Sequence, residues 1–61
     1  MSLIHELGSL HSSLDDLARR LSTAADQLAG SDDATYAGLL EVERHLRSAS
    51  RRLERVIRGL P

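Results

Sequence analysis

The fold predicted by this sequence is an antiparallel pair of α-helices joined by a short turn, coiled-coil-like in its packing, and three observations predict it. The first is a ladder of Leu3, Leu7, Leu10, Leu14, Leu17, Leu21, Ala24 and Leu28, whose steps alternate four and three residues. The second is a matching ladder of Leu39, Val42, Leu46, Ala49, Leu53, Val56 and Leu60 beyond a polar break. The third is register. If the chain reverses between Ser31 and Asp32, facing rungs have numbers summing to 63, from Leu3 with Leu60 to Leu28 with Thr35. Large residues then tend to face small or β-branched ones, as interdigitated packing prefers.

Each element has its own signals. Ser2 is placed to cap a first helix over roughly residues 3–29, and Gly30 stands where a left-handed residue ends it. The turn takes residues 30–33. Ser31, Asp32 and Asp33 offer a second N-cap and put negative charge at the positive end of a helix running from about 33 to 59. Arg55 and Arg58 lie near its negative end, and Gly59 and Pro61 close it. At 1.5 Å per residue each helix is roughly 40 Å long, so the whole is a thin rod.

Size sets the next question. The 61 residues form one small domain, and a chain this short buries only about 60% of its unfolded surface. With no cysteine there are no disulfides and no thiolate metal sites, which leaves regular helix packing and oligomerisation as the sources of stability. Tyr36 is the sole aromatic, so a base-stacking surface or an aromatic ligand cage is not expected. No apolar run approaches the ~20 residues of a membrane span, and no basic segment precedes an apolar one at the N-terminus. The expected compartment is the cytoplasm.

Beside the ladders the flanks differ. One carries Ile4, Gly8, His11, Ala18, Ser22 and Ala25 with Tyr36, Leu40, Glu43, Ser50 and Ile57. These are mostly small or apolar. The other carries Glu6, Ser13, Arg20 and Gln27 with Gly38, His45, Arg52 and Gly59, a hydrated edge. Two helices bury one stripe each, so the first flank is expected to stay wet until a second copy covers it, giving a homodimeric four-helix bundle. A different helical protein pairing through the same flank is the hetero-oligomeric alternative. Gly8 and Gly38, inside helices, are expected to be compensated by close backbone approach.

Charge is unevenly spread. Residues 1–43 balance to −6 and residues 44–61 to +5 within a net −1, so the rod has an acidic turn end and a basic open end. An antiparallel pair of hairpins is therefore expected, since it sets unlike ends together. Arg44, Arg47, Arg51, Arg55 and Arg58 recur at three- and four-residue steps and form an outward stripe suited to a macromolecular partner or to an anion. Part of the stripe has a plainer account, because Glu41, Glu43 and Glu54 stand at helical pairing distance from Arg44, Arg47, Arg51 and Arg58. Nucleic-acid or nucleotide binding is the alternative use of the stripe.

Catalytic and metal chemistry find little support. His5, His11 and His45, with Glu6 or Glu41, lie on different faces, and Glu41 and His45 are four apart instead of the Glu-x-x-His spacing of ferritin-like sites. No metal and no cofactor is expected. The serines are helix-surface residues without a cleft, and Asp15 and Asp16 read most simply as partners of Arg19 and Arg20. His11 reads as a polar residue of the dimer face opposite Ser50 or its own counterpart, where protonation would loosen the dimer. The functional expectation is a small non-enzymatic protein–protein interaction module.

Overall fold

The computed structural model describes residues 2–61, Met1 lying outside them, and consists of α1 (Leu3–Asp26) and α2 (Asp33–Arg58) packed side by side. The hairpin measures 48 × 17 × 10 Å. Ser2 opens α1, its Oγ accepting from the His5 N–H at 3.5 Å while its carbonyl accepts from the Glu6 N–H at 3.0 Å. Asp32 opens α2 with both carboxylate oxygens engaged. One accepts from the Thr35 N–H at 3.1 Å and the other from the Thr35 hydroxyl at 2.7 Å. This pair of bonds holds the Asp32 carboxyl below its ordinary 3.8.

The first helix stops at Asp26, short of the expected Ala29. Its last turn tightens into three-residue bonds, with the Leu28 N–H donating to the Ala25 carbonyl at 2.9 Å. Gly30 then adopts φ 83°, which lets the N–H groups of Ser31 and Asp32 both reach back to the Leu28 carbonyl at 3.0 and 3.2 Å. A Cβ there would meet no neighbouring side chain but would crowd the residue's own carbonyl at this positive φ, so the reversal favours glycine. At the far end, the Gly59 N–H satisfies the Arg55 carbonyl at 3.1 Å, with Arg55 and Arg58 in the last turn.

The line of contact between the helices differs from the one expected. Ala18 and Ala25 are 0% exposed and Ser50 is 3% exposed, so the small-residue flank is the inside of the hairpin. Gly8, His11 and Ser22 of the same flank, and Tyr36, Leu40, Glu43 and Ile57 opposite, are half-buried; only Ile4, at the open end, is exposed. The expected dimer face is therefore already occupied by the chain itself. The physical reason is interaxial distance: alanine and serine at the centre let two helices approach more closely than leucine allows, and leucines then close the gap from the side.

Only one phase of each ladder takes part in that closure. Leu7, Leu14, Leu21 and Leu28 and, across from them, Leu39, Leu46, Leu53 and Leu60 are half-buried. Register shifts with the rotation. Among the described residues, the two polar side-chain contacts that cross the hairpin, Ser50 with Asp15 and His11 with Glu54, have numbers that sum to 65 instead of 63. The other phase, Leu3, Leu10, Leu17 and Ala24 with Val42, Ala49 and Val56, is exposed.

Candidate interaction surfaces

Three surfaces follow from this rotation. The first is a polar cluster across one edge of the hairpin. Ser50 Oγ donates to Asp15 Oδ1 at 2.6 Å, a link between the helices that joins residues 35 apart in sequence. His11 stands between two carboxylates, with Nδ1 4.0 Å from Asp15 Oδ2 and Nε2 3.8 Å from Glu54 Oε2. Glu54 also takes the Arg58 guanidinium. The Asp15 carboxyl is held below its ordinary 3.8 chiefly by the Ser50 hydroxyl, with smaller help from the charges of His11, Arg19 and Arg47 and some opposition from burial.

Serine, histidine and aspartate meet here, but in an order that does not activate a nucleophile. In a hydrolytic triad the histidine accepts from the serine. Here Ser50 gives its proton to the carboxylate directly and is closed off from solvent. Nor do the donors converge as metal ligands: His11 meets its two carboxylates on different ring nitrogens, and among the described residues no group of three such side chains is arranged to hold a metal ion. His5 and His45 are exposed and stand apart from His11. The cluster is a polar clasp that fixes how the helices are rotated against each other.

Two expectations change with it. Asp15 turns across to α2, and Arg19 and Arg20 instead meet Asp16 at 3.3 and 4.0 Å. His11 faces Asp15 and Glu54 of its own chain instead of Ser50 or its own counterpart.

The second surface is the arginine stripe. Arg47 Nε donates to Glu43 Oε2 at 2.9 Å, and Arg58 pairs with Glu54. Among the described residues Arg44, Arg51 and Arg55 make no ion pair; Glu41 does not reach Arg44, and Glu54 is taken up by Arg58 and His11. Arg51, Glu54, Arg55 and Arg58 line a shallow open groove. Arg44 and Arg51 each follow a residue of the buried row, Glu43 and Ser50, by one position. They therefore share the side of the hairpin that carries the polar clasp.

On the opposite side lies the third surface, an apolar edge. Leu3, Leu10, Leu17, Val42 and Val56 are between 44% and 62% exposed. Each of these rows precedes a buried row by one position: Leu17 precedes Ala18, and Ala49 precedes Ser50. One position is about 100° around a helix. Because the helices run in opposite directions, the same turn about each axis brings both rows to one side of the pair. Glu6, Ser13, Arg20, Gln27, His45 and Arg52, all exposed, border this edge as a polar rim.

Neither glycine of the helix interiors sits at a tight approach. A Cβ at Gly8 or Gly38 meets nothing within 4 Å, so the expected compensation by close packing is absent at both. No described helix is long and apolar enough to cross a membrane. The sequence matches no protein-family model, and neither a curated protein nor a solved structure matches it.

Proposed function

We propose that this chain is a small non-enzymatic interaction module that assembles as a homodimeric four-helix bundle and presents its arginine face to an acidic macromolecular partner. The observation that carries the reading is the apolar edge. Two heptad rows, one from each helix, lie on one side of the hairpin, and their large residues stay between 44% and 62% exposed. A helix that packs against one neighbour needs a single stripe, whereas a helix of a bundle carries a wider one. Both helices here carry the wider stripe: the buried row, the leucine row beside it, and the exposed row beyond. A second hairpin laid on the edge completes the burial.

The arginine face lies on the other side and so stays outside such a bundle. Arg44, Arg51 and Arg55 are free of ion pairs there, and arginine's forked donors suit carboxylates and phosphates alike. Carboxylates are favoured because Arg44, Arg51 and Arg55 have no aromatic side chain beside them on which a base could stack.

Sedimentation of the native chain and of the double variant Leu10→Glu, Leu17→Glu tests the assembly. The native chain is expected to run as a dimer and the variant as a helical monomer. A native monomer at tens of micromolar refutes the reading. For the face, salt-sensitive binding of an acidic polypeptide that Arg51→Glu with Arg55→Glu removes is the expected result, whereas binding of DNA, RNA or nucleotides in its place assigns the stripe to nucleic acid.

A further inference from the structure

The apolar edge tapers along the rod. On α1 its row runs Leu3, Leu10, Leu17, Ala24 from the open end towards the turn, and on α2 it returns as Val42, Ala49, Val56. By the register of the hairpin, Leu10 lies level with Val56, Leu17 with Ala49, and Ala24 with Val42, within about a residue. The edge is bulky near the open end and slight near the turn.

Two hairpins stacked edge to edge in the same direction would set the bulky layer of Leu10 and Val56 on its own counterpart. The slight layer of Ala24 and Val42 would likewise face itself. Helices held apart at one end would leave a gap at the other, and close-packed interiors do not tolerate such gaps. Stacked in opposite directions, Leu10 and Val56 lie over the second copy's Ala24 and Val42, while Leu17 and Ala49 meet their own counterparts at the centre. These three layers then have similar bulk, and the interaxial distance stays even along them.

Charge points the same way, independently of shape. At the turn end Asp26, Asp32, Asp33 and Glu41 make no ion pair among the described residues, and neither do Arg51, Arg52 and Arg55 towards the open end. Opposed rods bring the acidic turn of each copy level with the basic end of the other. Parallel rods bring like charges together over distances comparable to the ~10 Å screening length at 0.1 M salt.

We infer that the occupant of the Leu3–Leu10–Leu17 and Val42–Ala49–Val56 edge is a second copy of this chain laid antiparallel, with its two-fold axis at the level of Leu17 and Ala49. The inference rests on the homodimer proposed above and adds its direction. One consequence is functional: the two arginine faces end up on opposite outer sides of the bundle, so one dimer holds two acidic partners without their touching.

The chain has no cysteine, so a single nitroxide can be placed at will. Ala34→Cys is exposed at the turn end and loses no side-chain hydrogen bond. In the antiparallel dimer the two labels are separated by about the length of a helix, ~40 Å. Labels within about 20 Å, two helix diameters, overturn the direction and leave the dimer standing, whereas no intermolecular coupling at all, with a monomeric mass, overturns both. Ala49→Cys gives a second reading. On air oxidation it is expected to form a disulfide with its own counterpart, which a parallel stack forbids by setting α2 over α1 and the two cysteines on a diagonal.

Discussion

Ser50 Oγ lies 2.6 Å from Asp15 Oδ1 and donates its proton across the hairpin to a carboxylate that the sequence alone pairs with a neighbour on its own helix. That bond is the main reason the Asp15 carboxyl is held below its ordinary 3.8, and Thr35 does the same for Asp32. Both folded values are depressed, so the stability they contribute is present above the ordinary carboxyl range and is lost as pH falls through the folded values. The melting temperature is expected to be flat from neutral pH down to about pH 4 and to fall below it. Ser50→Ala should move the Asp15 carboxyl resonance midpoint upward, and an unchanged midpoint would show that the hydroxyl does not hold it.

Ala18 and Leu17 are adjacent in sequence and opposite in role. Ala18 is sealed between the helices, so Ala18→Leu overpacks the hairpin and is expected to cost about 1–3 kcal/mol at any protein concentration. Leu17 is 44% exposed on the apolar edge. Together with Leu10→Glu, Leu17→Glu is expected to leave the helicity of the chain intact and to weaken association by about 100-fold, the effect of losing roughly 3 kcal/mol of burial. Circular dichroism and sedimentation separate the two outcomes; equal effects on both measurements from both changes would mean that the faces are misassigned.

Three glycines divide in the same way. Gly30 holds φ 83°, and Gly30→Ala is expected to cost about 1–2 kcal/mol. Gly8 and Gly38 have open space where a Cβ would go, so alanine at either should stabilise by about 0.5–1 kcal/mol, a few degrees in melting temperature for a chain this small. A loss of stability in Gly8→Ala would reveal a close approach at that position in the assembled protein.

Arg51→Glu with Arg55→Glu reverses charge on the face away from the apolar edge. Held by its apolar edge, the dimer should persist at physiological salt with only a modest loss of affinity from the lost end-to-end attraction, while binding of an acidic polypeptide is expected to disappear. A variant that dissociates would place these arginines at the interface between copies.

The two helices, their caps and the glycine reversal were legible in the sequence because each rests on local chemistry: Ser2 and Asp32 as caps, Gly30 as the left-handed residue, and an unbroken alternation of three- and four-residue steps. Which of three adjacent apolar rows faces the partner helix was not legible from hydrophobicity, since the most leucine-rich pair of rows was the wrong choice. Alanine and serine rows win the centre because closeness of approach counts as well as transfer of area. A signal was present in Ser50, a hydroxyl within the small-residue row that needs a partner once buried, and Asp15 supplies it. The arginine face was legible as a stripe, but not which members stay free, because Glu54 is shared between Arg58 on its own helix and His11 on the other.

Whether a second copy covers the apolar edge is read from the mass of the purified native chain in solution. Sedimentation equilibrium at tens of micromolar is expected to give twice the 6.7 kDa of one chain. A mass equal to one chain, with Leu10 and Leu17 left in water, would contradict it.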